Sequence, residues 1–169
     1  NNSEVYNNLG NVFKDKGDKD QAIKFYNKSI SLNQKNSDAY YNRGISLHET
    51  GEYADCIKSL EKALYLNPNM NYLIGKIHHS KMFLCDWKDF DSFNNKIVKI
   101  IKDGKILIDP FILLSLIDDA ELQKINTKNY IDHLTSNNEK YEKNYRKNKK
   151  SKIKVGYFSA EYHNHPVLF

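Results

Sequence analysis

Long apolar runs are missing from this sequence. No stretch approaches the roughly 18 apolar residues of a membrane-crossing helix, and no leader pattern opens the chain. Cysteine is scarce, with only Cys56 and Cys85. Two thiols in 169 residues build no disulfide framework. Both are expected to act as buried small hydrophobes in a reducing cytoplasm, with a bond between them as the minor reading. The seven glycines form no phosphate-cradling loop, and neither an activated-serine pattern nor a Cys–His arrangement is present. His163 and His165 make an H-x-H without an evident third ligand, so no metal site is expected.

What is present is repetition. Residues 3–70 say the same thing twice at an offset of 34. Tyr6 lands on Tyr40, Gly10 on Gly44, Gly17 on Gly51 and Ala22 on Cys56; Ile23 lands on Ile57, Ser29 on Ala63 and Leu32 on Leu66. That period belongs to helix–turn–helix solenoids. Glycine inside a helix costs about 1 kcal/mol against alanine, which is justified where another helix passes too close for a side chain. Tyr26 and Leu60 are the large residues expected to fill that space. Gly17 and Gly51 close the first helix of each pair, Asp18 or Glu52 opens the second, and Pro68 ends the second pair. The spacing predicts helices at 3–16, 18–33, 37–50 and 52–66.

A third pair, at about 70–84 and 87–102, keeps the helical period and loses the pattern. His78, Phe90 and Ile97 stand where small residues belong. This pair is therefore expected to pack at a different distance, with Trp87 as a packing anchor at its turn. His78 and His79 read as ordinary interface or surface histidines. Gly104 stops the helix, and the apolar run 111–117 must be buried against something. Asp118 and Asp119 favour a new helix start. Residues 153–158 alternate apolar and polar, which predicts a strand, followed by a polar loop that reads as the opening of an α/β domain.

The net charge of +5 is concentrated in residues 134–152, where seven cations meet only Glu139 and Glu142. That run reads as a solvated helix end and linker, with nucleic-acid binding the weaker alternative. Asn8, Asn11 and Asn42 fall on the first helices, away from the packing side. An amide both donates and accepts, so such a column can pair with a polypeptide backbone whatever its sequence.

At Tyr6, Gly10, Phe13, Gly17, Ala22, Tyr26 and Ser29, and at the matching residues through Pro68, the chain resembles the tetratricopeptide family; Gln34 stands where the first proline belongs. A second resemblance is carried by Leu84-Cys85-Asp86-Trp87, by Asp109-Pro110-Phe111, by the stretch from Lys154 to Tyr162, and by Asn164-His165-Pro166-Val167. Together these are similar to the junction of the tetratricopeptide-containing protein O-GlcNAc transferases, including Spindly-like bacterial members. The resemblance implies an all-α tetratricopeptide superhelix over residues 1–70 and transitional helices over 71–134. A basic linker at 135–152 and the first strand and His-Pro loop of a truncated Rossmann-like lobe at 153–169 would follow. It implies transfer of N-acetylglucosamine from UDP-GlcNAc to Ser or Thr of acceptor proteins held in the concave groove by Asn8, Asn11 and Asn42. His165 would match the acid/base or substrate-positioning histidine. Glu161, where many members have Asp, and His163 depart from the family pattern. The alternative is a non-enzymatic adaptor.

The piece is expected to be cytoplasmic, without a cofactor and inactive alone. Calorimetric titration of the chain with UDP-GlcNAc is expected to show no binding; micromolar affinity would contradict this.

Overall fold

The computed structural model describes residues 2–70, 72–104 and 108–136, and for 133–136 the backbone alone. These residues lie in the first of two units, residues 1–139. Among them the structure is all-helical: α1 (Asn2–Asp15), α2 (Lys19–Leu32), α3 (Ser37–Thr50), α4 (Tyr53–Leu66), α5 (Leu73–Phe83), α6 (Phe90–Lys102), α7 (Pro110–Leu116) and α8 (Ala120–Ser136). The strand expected at 153–158 lies outside the described residues, as do the 140–152 run, His163 and His165.

The first four helices form two antiparallel pairs, α1 with α2 and α3 with α4, and α2 packs on α3. Their ends are set by local chemistry. Gly17 and Gly51 take left-handed φ values of 83° and 84°, a conformation that glycine adopts without steric cost. Asp18 caps α2 by accepting from the Gln21 amide at 3.1 Å, and Asn36 caps α3 through the Ala39 amide at 3.1 Å. Glu52 makes no such cap and accepts from the Thr50 hydroxyl instead.

Both mid-helix glycines stand where a large side chain arrives. A Cβ on Gly10 would lie 2.4 Å from the Tyr26 ring, and one on Gly44 would lie 2.6 Å from Leu60 Cδ2. Tyr26 and Leu60 are wholly buried. Leu60 belongs to a core with Leu47, Cys56, Ala63, Met70, Leu73 and Ile77. A buried polar clasp also joins the first two pairs. Ser3 and Ser29 exchange hydroxyl-to-carbonyl bonds at 3.1 and 2.7 Å, and the Asn36 amide reaches Ser3 Oγ at 3.1 Å.

The third pair departs from the pattern, as its sequence leads one to expect. The α5 and α6 backbones barely approach one another. His78 occupies the place held by Gly10 and Gly44, and its ring lies 3.7 Å from Phe93 and 5.3 Å from Phe90. The turn between these helices corrects two expectations. Trp87 is not a buried anchor: it is 51% exposed and touches Phe90 edge-on. Cys85 is exposed at φ 54°, whereas Cys56 is buried as expected; both thiols are free. The apolar run at 111–117 forms α7 after its first residue, Pro110, together with the C-cap Ile117. Ile112, Leu113 and Leu116 are buried with Ile97, Ile101 and Leu122 in a second core, whereas Phe111 and Leu114 face outward.

Ile108 helps tie this second core to the solenoid, beside the α5 residues Ile74 and Met82 that pack against it. Ile108 fills the space beside Gly75 of α5, where a Cβ would meet its Cγ2 at 2.8 Å. Asn126 of α8, wholly buried, accepts from the Ile108 amide at 3.1 Å and donates to its carbonyl at 2.7 Å.

Two substitutions test these contacts by denaturant unfolding. Gly44→Val overpacks the α3–α4 contact and is expected to cost about 2 kcal/mol. Asn126→Ala orphans both backbone groups of Ile108 and is expected to cost about 2 kcal/mol.

Candidate functional site: a polar face on the first helices

Residues spaced i, i+4, i+7 and i+11 share one side of a helix. On α1 these are Glu4, Asn8, Asn11 and Asp15; on α3 they are Asp38, Asn42, Ile45 and Glu49. On the third first-helix they are Tyr72, at the N-cap of α5, then Lys76, His79 and Phe83. Each column is the previous one moved by 34 residues, so the twelve positions form a lattice of three columns and four rows. Carboxylates hold both outer rows of the first two columns: Glu4 with Asp38, and Asp15 with Glu49. All four are exposed. Lys76 is the single cation of the lattice, and the third column ends in exposed Tyr72 and Phe83.

The electrostatics tie neighbouring columns together. The Tyr72 phenol pKa is raised by burial first and then by the nearby Asp38 carboxylate. Tyr26 reaches Asn11 from α2 and donates its hydroxyl to the amide oxygen at 2.8 Å. Burial, followed by the Asp15 charge, pushes that phenol up to about 12, and the Glu49 charge adds to the rise. Glu49 also meets Lys19 of α2 at 3.2 Å, a half-exposed pair of small energetic weight.

The three asparagines read from the sequence occupy three different environments. Asn8 is exposed. Asn11 is half-buried, with its oxygen committed to Tyr26. Asn42 is 9% exposed and donates to Asn7 Oδ1 at 3.0 Å across the α1–α3 contact. The difference between Asn8 and Asn42 follows from stacking, since α3 packs against the first pair and α1 has no such neighbour among the described residues. Asn7 has no counterpart 34 residues on, where Tyr41 stands, so repetition could not single it out. The carboxylate rows do carry that signal, because Glu4/Asp38 and Asp15/Glu49 obey the same offset as the packing residues.

A second hollow, of about 570 Å³, lies between α7 and α8 with Pro110, Leu114, Lys124, Lys128 and Ile131 in its lining. Among the described residues no three His, Cys, Asp or Glu side chains converge as metal ligands. The chemistry the lattice offers is amide hydrogen bonding, negative charge at two edges and aromatic surface at the third column.

Comparison with known proteins agrees with this architecture. Residues 10–51 match the family model for the TPR repeat, and residues 37–70 match the model for the tetratricopeptide repeat. No curated protein matches the chain. Among solved structures, the Sgt2 TPR domain from Aspergillus fumigatus is similar, with a TM-score of 0.51 over 95% of this chain and 92% of that one. Sequence identity there is 12%, so the likeness is one of fold. Residues 10–70 therefore carry tetratricopeptide repeats, within a structure that is all-helical among the described residues.

Proposed function

We propose that the chain is a protein-interaction module whose lattice on α1, α3 and α5 takes an extended polypeptide bearing Lys or Arg side chains. The observation that carries this reading is the pair of exposed carboxylate rows, Glu4/Asp38 and Asp15/Glu49, flanking Asn8, Asn11, Asn42 and Ile45. Stacked helix pairs suit an extended ligand because every pair offers the same positions at a regular step. Asn8 supplies backbone hydrogen bonding. Asn11 keeps its amide protons for the ligand while Tyr26 holds its oxygen. Asn42 serves mainly to join the two columns. Opposite charge at the edges sets register and encounter rate more than raw affinity.

We infer a finer role from the residues Lys154 to Val167, which resemble the first strand and His-Pro loop of protein O-GlcNAc transferases. In that role the solenoid would recruit acceptor proteins to a sugar-transferring unit, UDP-GlcNAc would be the donor, and His165 would be an acid/base or substrate-positioning residue. Co-expressing the complete parent protein with a Ser/Thr-rich acceptor tests it. Added mass of one N-acetylhexosamine, lost in His165→Ala, is the expected result; an unmodified acceptor would contradict it.

The binding reading is tested by titrating the chain with extended peptides that carry two spaced arginines, against the same peptides with glutamates. Asp15→Asn combined with Asp38→Asn is expected to weaken the arginine peptides about threefold to tenfold and to flatten their salt dependence. Equal affinity for both peptide sets would contradict the proposal.

A further inference from the structure

Two imidazoles meet where the third helix pair joins the second, and a third lies on the opposite side of α5. His48 of α3 and His79 of α5 stack with ring centroids 5.7 Å apart, and Phe83 meets both rings edge-on at 5.8 and 5.0 Å. Tyr53, at the start of α4, lies edge-on to His48 and flat on Phe83 at 4.4 Å. One position before His79, His78 turns the other way and stacks on Phe93 of α6, with 2% of its surface exposed. The two adjacent histidines therefore hold α5 from both sides, against α3 and against α6.

Each ring buries a nitrogen that finds no hydrogen-bond partner among the described residues: Nε2 of His48, Nε2 of His78 and Nδ1 of His79. A neutral imidazole tolerates this, because one of its nitrogens carries no proton. An imidazolium must donate from both nitrogens, and a buried donor without an acceptor is costly. The first two pairs have no such feature at this place, since Gly10 and Gly44 stand where His78 does.

We propose that His48, His78 and His79 form an acid-sensitive latch, whose protonation loosens α5 from α3 and from α6 while α1–α4 stay folded. The charged groups around it do not remove the dependence. His48 faces Lys76 and His79, which oppose its protonation, and Glu49, which favours it. His79 faces Lys76 on its own helix and Asp109 at the start of α7. His78 faces Lys81, with Asp86 and Asp89 across the turn. In all three, burial is the first cause and lowers the affinity for a proton below the ordinary value of 6.5. The unfolded pair then binds more protons than the folded pair. The packing is complete above pH 6.5 and is lost as the pH falls below it. This inference concerns packing and stands independently of what the lattice binds.

The sole tryptophan, Trp87, sits in the α5–α6 turn against Phe90 and reports on that packing. Fluorescence and near-UV circular dichroism of the full chain are followed from pH 7.5 to 5. The expected result is a Trp87 transition below pH 6.5 with most far-UV helical signal retained. His78→Phe, which keeps the stack without the proton, and His48→Gln with His79→Gln are each expected to reduce the transition by at least about half. An unchanged Trp87 signal in the unsubstituted chain, or a transition in both variants as large as in that chain, would overturn the proposal. Should the variants fail to fold, proton NMR titration of His78 in the parent chain decides. Silence until Trp87 changes supports the latch, and ordinary titration at 6.5 within an unchanged fold overturns it.

Discussion

The structure depends on how closely two helices can approach when one of them gives up a side chain. Gly10 and Gly44 let Tyr26 and Leu60 reach the helix backbone, and a wholly buried contact follows in both pairs. A glycine mid-helix costs about 1 kcal/mol in propensity, and burying a Leu-sized side chain returns about 2 kcal/mol, so the exchange is favourable wherever the partner is large. The same contact sets the spacing within each of the first two pairs, and its repetition makes the two pairs alike.

The third pair shows what happens when that device is absent. His78 cannot admit a neighbouring backbone, so α6 is held off by a ring sandwich and the solenoid period ends. Ile108 and Asn126 replace repetition with a particular joint: a side chain in the space beside Gly75, fixed by two hydrogen bonds from α8. From there a second core grows around Ile97, Ile101 and Leu113. The change from repeat to joint lies within α5 itself, between its outer lattice positions and its inward glycine.

Much of this was legible from the chain alone, for a physical reason. Repetition at 34 residues encodes local contacts, so Gly10, Gly44, Tyr26 and Leu60 could be assigned their roles, and the helix ends at 37–50 agree with α3. His78 could be recognised as a break because it violates a rule stated twice before it. The joint could not be read, because Ile108 meets Gly75 and Asn126 across separations that no period announces. Trp87 and Cys85 were misjudged because their burial depended on a close α5–α6 pair that His78 prevents. In the candidate site, Asn8, Asn11 and Asn42 were found by type and spacing, but their environments were not. Stacking order decides those environments: Asn42 is covered by the pair before it and Asn8 is open.

In the proposed function, repeat packing and polypeptide recognition use two sides of the same first helices, one closing the pair and the other presenting amides and carboxylates. The most direct measurement is backbone NMR of the chain titrated with an arginine-bearing extended peptide. The account predicts shift changes along Glu4, Asn8, Asp15, Asp38 and Lys76, with α2 and α4 little affected. Changes confined to α2 and α4, or to the hollow between α7 and α8, would contradict it.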